Sequence, residues 1–252
     1  MFTHAIVRPP SAALVEGLTA ASLGRPDVGR ALEQHAAYTA ALRACGLEVT
    51  ELPALADFPD ATFVEDTALL TPRCAVVTRP GAESRREEAA HMRPVLEARF
   101  AVIETIEAPG TLDAGDVMQV GEHFFIGLSA RTNAEGAAQL VAILERHGYG
   151  ASTVPMREML HLKTGVNALD DTLLVCGEFV DAPAFAGFTR IEIPEEEAYA
   201  ANSLWVNGTV LVPEGFPRTR SRIRGLGYDV IDVDTSEFRK LDGGLSCLSL
   251  RY

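Results

Sequence analysis

Several features that define common protein classes are missing from this chain of 252 residues. No run of about 18 uncharged apolar residues occurs, so no segment is expected to cross a bilayer. The start of the sequence lacks a basic stretch followed by an apolar one, and no signal peptide is predicted. Basic residues are also scarce: the chain has 22 Lys and Arg but 35 Asp and Glu, which gives a net charge of −13. This acidity disfavours nucleic acid and anionic membranes as partners, and it suits a small cationic molecule.

Motifs that would identify a nucleotide-binding protein, a serine hydrolase or a metal site are absent as well. The sequence contains no phosphate-binding loop of the GxxxxGK type, no GxGxxG and no GxSxG pattern. It has no histidine pair at i and i+4 beside a glutamate and no cysteine pair with zinc spacing, so no metal site is predicted. Cys45, Cys74, Cys176 and Cys247 lie far apart. We therefore expect free thiols and a cytoplasmic location.

The sequence does contain a repeated pattern of secondary structure. Five rounds of strand, strand, helix and strand (ββαβ) follow one another, each about 50 residues long, a period typical of closed or stacked arrays. Apolar periodicity predicts helices over 27–45, 84–99, 133–147 and 219–226, whereas the helix of the fourth round is too weak to assign. The pattern predicts an α/β fold. A last strand over 245–251 would complete the first round and bring the two ends of the chain together.

Cys247 has a sequence environment that favours a nucleophile. It follows two glycines in the segment 242–247 (DGGLSC), before a short apolar strand. Glycine lets the backbone approach a ligand closely, and a nearby cation lowers the pKa of a thiol. The alternative is a cysteine that packs as a small hydrophobe within a strand, and the residues by themselves leave both interpretations open.

His161 is the histidine whose surroundings best suit catalysis. Leucines flank it on both sides, and a glycine follows at position 165. A neutral imidazole in such a place can act as a general acid and then as a general base. A histidine that is satisfied within the core is the alternative.

Three carboxylates surround the start of a strand predicted over 63–70. In an alternating strand, Glu65 and Asp66 would point to opposite faces, while Asp60 and Asp66 would share one. Carboxylates that converge repel each other unless a cation separates them, and a planar guanidinium is such a cation. A solvated acidic loop is the alternative.

A second acidic turn lies before the third hairpin, and two arginines could bind an acid. Asp113 and Asp116 stand in LDAGD, where simple turn chemistry is the alternative to a functional role. Arg85 and Arg131 could hold a carboxylate. The alternatives are a solvated helix start for Arg85 and a helix N-cap region for Arg131.

Five segments occur together in an order and spacing that resemble one family. They are FVED at 63–66, LDAGD at 112–116, SARTN at 129–133, HLK at 161–163 and DGGLSC at 242–247. Over essentially its whole length the chain resembles the bacterial dimethylarginine dimethylaminohydrolases, within the guanidino-group-modifying (pentein) superfamily. The resemblance implies one catalytic domain, 1–252, with a pseudo-symmetric five-bladed α/β propeller of ββαβ units. This agrees with the five rounds.

The resemblance also implies an activity. Such an enzyme hydrolyses Nω,Nω-dimethylarginine, and the monomethyl form, to citrulline and dimethylamine or methylamine. The reaction runs through a covalent thiouronium-type intermediate on a cysteine and uses no cofactor and no metal. The implied partner is a small-molecule substrate rather than nucleic acid or a membrane, and a homodimer is compatible with the family.

Particular residues match the functional positions of that family. Cys247 matches the nucleophile, His161 the general acid and base, and Asp113 the carboxylate of the catalytic group. The substrate-binding positions are matched by a larger set, in which Leu18 covers the substrate through its backbone and the two arginines hold its carboxylate: Leu18, Asp60, Phe63, Glu65, Asp66, Arg85 and Arg131.

Two other functions compete with this interpretation. Deiminases that act on free arginine are usually much longer, and 252 residues leave no room for their inserted helical domain. A non-catalytic binding protein on the same five-fold scaffold, such as the ribosome anti-association factor, lacks the set of cysteine, histidine and carboxylate. Cys247 and His161 therefore favour an enzyme.

Overall fold

Fifteen short strands form the sheets of the structure, a computed structural model that describes residues 1–252. The strands are β1 (His4–Val7), β2 (Glu48–Glu51), β3 (Ala68–Leu70), β4 (Ala75–Val77), β5 (Ile103–Thr105), β6 (Val117–Val120), β7 (His123–Leu128), β8 (Gly150–Pro155), β9 (Val166–Leu169), β10 (Thr172–Val175), β11 (Thr189–Glu192), β12 (Leu204–Val206), β13 (Thr209–Pro213), β14 (Asp229–Val233) and β15 (Leu250–Arg251). The α-helices are α1 (Val28–Ala44), α2 (Arg86–Glu97), α3 (Ala134–Arg146), α4 (Leu162–Gly165), α5 (Pro217–Gly225) and α6 (Ser236–Arg239). Not one of these helices combines the length and the apolar character that a membrane crossing requires.

The strands form five three-stranded sheets of one design. Their orders are β15-β1-β2, β3-β4-β5, β6-β7-β8, β9-β10-β11 and β12-β13-β14. In each sheet the central strand is antiparallel to the first strand named and parallel to the third. A long helix precedes the parallel partner in four sheets, and two short 3₁₀ turns replace it between β10 and β11. The five predicted rounds are confirmed, and the fourth round, whose helix was too weak to assign, has these 3₁₀ turns in the place of a helix.

The chain divides into two compact units. The first comprises Met1–Val64 and Asn202–Tyr252, and the second comprises Glu65–Ala201. The core of the first unit packs α1 and α6 against two sheets, with Tyr38 and Phe238 completely buried. The second unit contains three sheets and two apolar clusters, one of which lies around α3. Burial of these apolar surfaces is the main stabilising contribution in each unit.

The two ends of the chain meet within the first unit. Strand β15 pairs antiparallel with β1, placing Ile6 opposite Leu250, and the Thr3 N–H donates to the carbonyl of Tyr252 at 2.9 Å. The prediction that the ends come together is therefore confirmed. The predicted strand over 245–251 is too long, however, because the chain forms a 3₁₀ turn over Ser246–Leu248 before it becomes extended.

Candidate active site

The densest group of buried charges lies in the second unit, around His161. The imidazole Nε2 is 3.0 Å from Asp113 Oδ2 and 4.0 Å from Asp66 Oδ1. All three residues are buried, with exposed fractions of 7% for His161, 0% for Asp113 and 3% for Asp66. His161 directly precedes α4 and Asp113 directly precedes a 3₁₀ turn, and both residues have extended backbone.

His161 is positively charged at neutral pH in this environment. Burial alone would lower the pKa of its imidazole, but the charge of Asp66, the hydrogen bond to Asp113 and the charge of Asp116 together raise that pKa to about 9. Neighbouring carboxylates favour the protonated ring because they attract its charge. His161 therefore holds a proton that it can donate to a leaving group.

Asp66 is ionised and held from two sides. Its Oδ1 accepts the Gly115 N–H at 3.0 Å, and its Oδ2 accepts Arg85 Nη1 at 2.6 Å. Burial raises the pKa of Asp66, but the charges of His161 and Arg85 outweigh burial and hold the pKa below its usual value. Gly115 is required here, since a Cβ at this position would lie 2.7 Å from His161 Nδ1.

Arg85 is buried between two carboxylates, so the alternative of a solvated helix start is wrong. Besides Asp66 it binds Glu88, whose Oε2 lies 2.8 Å from Nη2 and 3.1 Å from Nε. Burial lowers the pKa of this guanidinium, but Asp66 and Glu88 raise it well above its usual value. Its charge is compensated by the protein itself, a feature that the sequence did not predict.

Arg131 is the more exposed of the two arginines. Its Nη1 lies 3.7 Å from Asp113 Oδ2, and its side chain is 20% exposed. Asp113 is held in turn by the Gly81 N–H, which donates to Oδ1 at 2.8 Å. Arg131 thus lies beside the His161–Asp113 pair with part of its side chain accessible.

Glu65 lies in a turn rather than in a strand. The predicted strand over 63–70 is wrong for its first half, because Val64–Thr67 forms a 3₁₀ helix and only Ala68–Leu70 is extended. The argument that alternation places Asp60 and Asp66 on one face therefore fails. The Glu65 carboxylate accepts a hydrogen bond from Lys163 Nζ at 2.7 Å, an ion pair that the sequence did not predict.

Asp66, Asp113 and His161 are also the one set of side chains whose ligand atoms are near enough for a metal, within 4.8 Å of one another. A metal requires a deprotonated imidazole nitrogen. His161 Nε2 is instead shared with Asp113, and the imidazole has a pKa of about 9. We therefore describe the cluster as an ion-pair network and assign no metal to it.

Cys247 lies in the first unit on the 3₁₀ turn Ser246–Leu248, and not on a strand as predicted. Its Sγ accepts the Gly244 N–H at 3.4 Å, and the residue is partly exposed. Such a donor stabilises a thiolate more than a thiol. Asn202, which the sequence did not indicate, holds this turn: its Oδ1 accepts the Ser246 N–H at 2.9 Å, and its Nδ2 donates to Ser246 Oγ at 3.1 Å.

The two glycines before Cys247 make room for side chains of the same unit. A Cβ at Gly243 would collide with the ring of Phe63, and one at Gly244 would lie 2.6 Å from Asn202 Cγ. The glycine pair thus has a packing reason, in addition to any close approach of a ligand. Phe63 is buried and forms an edge contact with Phe238, so it supports the turn that carries Cys247.

Asp60 and Leu18 meet in the first unit. The Leu18 N–H donates to Asp60 Oδ1 at 3.0 Å, and Asp60 is buried while Leu18 is exposed. The next residues are held by Asp242, whose Oδ2 accepts the Ala20 N–H at 2.6 Å and Thr19 Oγ1 at 3.2 Å. Two carboxylates therefore hold this segment through its backbone and leave the leucine side chain outward.

Comparison with known proteins places the chain in a family. The family model described as arginine deiminase matches residues 52–192, more than half of the chain. The N(G),N(G)-dimethylarginine dimethylaminohydrolase of Pseudomonas aeruginosa is 56% identical over 254 residues, which cover 100% of both chains.

Solved structures of the same family also match the chain. A cysteine-to-serine mutant of dimethylarginine dimethylaminohydrolase from Pseudomonas aeruginosa, complexed with citrulline, matches with a TM-score of 0.99 and 56% identity over 100% of both chains. A histidine-to-glycine variant of dimethylarginine dimethylaminohydrolase, as an adduct with S-methyl-L-thiocitrulline, matches with the same score, identity and coverage. The predicted fold class, a five-unit α/β propeller of the pentein type, is confirmed by this agreement.

Proposed function

The chain belongs to the dimethylarginine dimethylaminohydrolase family, and from this premise we propose that it hydrolyses Nω,Nω-dimethylarginine to citrulline and dimethylamine. Nω-monomethylarginine is the second substrate and yields methylamine. The observation that carries the proposal is the buried imidazolium of His161, held by Asp113 and close to Asp66. A protonated group of this kind is what a departing amine needs.

Cys247 is the nucleophile of the proposed reaction. The positive guanidinium of the substrate lowers the pKa of the thiol on binding, and the Gly244 N–H stabilises the resulting thiolate. The thiolate attacks the guanidinium carbon and forms a covalent C–S bond. Collapse of this adduct then breaks the bond from carbon to the dimethylated nitrogen.

His161 serves both halves of the reaction. As an imidazolium it gives its proton to the leaving dimethylamine, and Asp113 keeps the ring oriented through the 3.0 Å hydrogen bond. The neutral ring then takes a proton from water, whose oxygen attacks the thiouronium carbon. Breakage of the C–S bond releases citrulline and returns Cys247 as a thiolate.

The remaining residues bind the two charged ends of the substrate in this proposal. Carboxylates receive the guanidinium, and arginines receive the amino-acid carboxylate. We assign the guanidinium end to Asp60, Phe63, Glu65 and Asp66, the carboxylate end to Arg85 and Arg131, and a covering role to Leu18. Arg131 is the more accessible arginine, since Arg85 already binds Asp66 and Glu88.

The proposal includes the setting of the enzyme. We propose one catalytic domain over residues 1–252, a cytoplasmic location, no cofactor, and small molecules rather than nucleic acid or membranes as partners. A homodimer is compatible with it. Support for these parts comes from the family's known members and from the acidic composition, in which acidic residues outnumber basic ones by 35 to 22.

Turnover of dimethylarginine by the wild type and by Cys247→Ser tests the function. The wild type should release citrulline and dimethylamine in equal amounts, and Cys247→Ser should release neither. Cys45→Ser is a matched control, because Cys45 is a partly exposed thiol of the same unit, and burial raises its pKa. We expect it to retain wild-type turnover.

Two outcomes would contradict this proposal. Release of ammonia from arginine, without dimethylamine from dimethylarginine, would identify a deiminase instead. Appreciable turnover by Cys247→Ser would exclude Cys247 as the nucleophile.

A further inference from the structure

Asp116 is a buried carboxylate to which the proposed reaction assigns no role. Its Oδ2 accepts hydrogen bonds from Ser129 Oγ and Thr132 Oγ1, each at 2.6 Å, and its Oδ1 accepts the Leu162 N–H at 2.9 Å. All three donors are neutral. Burial raises the pKa of Asp116, and the charge of His161 and these hydrogen bonds oppose that rise. A buried carboxylate lowers the stability of the fold unless hydrogen bonds compensate for its lost hydration. The three hydrogen bonds of Asp116 therefore show which groups it holds.

One contact fixes the backbone of His161. The Leu162 N–H belongs to the peptide that follows His161, and it is the first N–H of α4. The first N–H groups of a helix have no partner inside the helix, and Asp116 supplies one. The carboxylate therefore holds the peptide plane from which the imidazole extends.

A second contact fixes the backbone of Asp113. Thr132 Oγ1 donates its proton to Asp116 and accepts the Asp113 N–H at 3.2 Å. Asp113 Oδ2 in turn lies 3.0 Å from His161 Nε2. Both ends of the His161–Asp113 hydrogen bond are consequently connected to one carboxylate.

A third contact orders the turn that carries Arg131. Ser129 Oγ donates to Asp116 and accepts the N–H groups of Arg131 at 3.0 Å and Thr132 at 3.1 Å. Gly127 leaves the required space, because a Cβ there would lie 3.1 Å from Asp116 Oδ1. Asp116 thus connects the segments that bear His161, Asp113 and Arg131.

We propose that Asp116 is a positioning residue for the His161–Asp113 pair, an inference that rests on the hydrolytic function proposed above. It acts through the two backbones that it holds and through its negative charge. The other carboxylates that face His161 are Asp66 and Asp113, and the arginines Arg85 and Arg131 partly compensate them.

Asp116→Asn tests the proposal, because it keeps the shape of the side chain but removes the charge and one acceptor. We expect kcat to fall by about 10- to 100-fold through misplacement of the pair, with KM changed less than about threefold. The alkaline limb of the pH profile of kcat/KM should move to lower pH. The pKa of the His161 imidazole, followed by NMR, should fall from its value of about 9. A merely structural role would lower the amount of folded enzyme and move neither titration.

Thr132→Val separates the two parts of the proposal. It removes the bridge to Asp113 but keeps the charge of Asp116, so kcat should fall while the imidazole titration changes less than in Asp116→Asn. Glu178→Gln is the control. Glu178 accepts N–H groups of the loop before His161, from Arg157, Glu158 and Met159 at 2.8–3.1 Å. This control should keep kcat within about twofold of the wild type, with an unchanged His161 titration.

A folded Asp116→Asn variant with wild-type kcat and wild-type His161 titration would overturn the proposal. If that variant does not fold, a Thr132→Val variant with wild-type kcat would overturn the proposal in its place. Absence of dimethylarginine turnover in the wild type would instead contradict the proposed function. The NMR titration, which needs no turnover, would still decide whether Asp116 controls His161.

Discussion

Individual charges in the second unit are balanced locally rather than by solvent. Asp66 and Glu88 flank Arg85, and Asp113 lies between His161 and Arg131. When one partner of a buried ion pair is removed, the remaining charge is uncompensated. The resulting loss of stability is larger than the stability that the intact pair adds relative to two neutral side chains. Residues of the same type therefore differ greatly in the effect of their loss.

Arg85 and Arg131 offer a direct comparison. Arg85→Met should lower the free energy of unfolding by about 3–5 kcal/mol, because two buried carboxylates lose their cation. Arg131→Met should lower it by less than about 1 kcal/mol, because its ion pair is long and partly exposed, but should raise KM for dimethylarginine. Urea unfolding and steady-state kinetics measure both effects. Equal destabilisation by the two substitutions would contradict the assignment.

The protonation of His161 predicts how stability depends on pH. The pKa of His161 is raised from 6.5 to about 9 in the folded protein. Its contribution to stability is therefore complete below about pH 6.5 and is lost as the pH rises through about 9. The difference in unfolding free energy between the wild type and His161→Gln should be larger at pH 6 than at pH 10. A constant difference would mean that folding does not raise the pKa of His161.

The elements that carry the site are short turns held by side chains from elsewhere in the same unit. Asn202 holds the turn of Cys247, and Asp60 with Asp242 holds the segment of Leu18. Turns of this kind have few backbone hydrogen bonds of their own, so their geometry depends on the side chain that holds them.

Asn202→Ala tests that dependence. Loss of both hydrogen bonds to Ser246 should destabilise the protein by about 1–3 kcal/mol and should lower kcat, because the turn that presents Cys247 is no longer held. Ser246→Ala is the matched control, since it removes the 3.1 Å bond and keeps the 2.9 Å bond to the Ser246 N–H. Alkylation of Cys247 by iodoacetamide, measured beside kcat, reports on the turn itself. Equal effects of the two substitutions would count against Asn202 as the anchor.

Regular elements were predictable from local signals, but turns built on distant contacts were not. The helices predicted over 27–45 and 133–147 correspond to α1 and α3, and the structure shows that Asp27 and Asn133 are their N-caps. Strand β9 has no such signal, because its hairpin with β10 turns at Asp170 with a φ of 57° and contains no Asn-Gly pair. The strand predicted across Glu65 and Asp66 was wrong. These residues form a 3₁₀ turn that is held by distant partners, and the alternation of apolar residues carries no signal for such a turn.

At the scale of the whole molecule, the repeat count was the most informative sequence feature. Five rounds predicted five sheets, and the structure contains five. The net charge of −13 disfavoured nucleic acid and anionic membranes as partners but could not locate a site. The sequence identified Asp113, His161 and Cys247 as candidates for the chemistry. The cations that compensate buried carboxylates, and the side chains that hold the turns, became apparent only in the folded structure.

The meeting of the chain ends predicts tolerance to circular permutation. A short linker from Tyr252 to Met1, with new ends opened at Gly187, should give a folded and active protein. Gly187 is exposed, and no atom would contact a Cβ there. Turnover and thermal unfolding of the permutant measure the result. A Gly-Ser insertion at Gly187 without permutation is the control, and an inactive permutant beside an active insertion variant would contradict the prediction.

The same pairing has a consequence for the time course of synthesis. Strand β1 is made among the first residues, yet its partner β15 leaves the ribosome after every other strand. Cys247 precedes β15 by only a few residues. A nascent chain therefore contains His161 and Asp113 long before it contains Cys247, and the proposed reaction has to wait until the sheet of β15, β1 and β2 is complete.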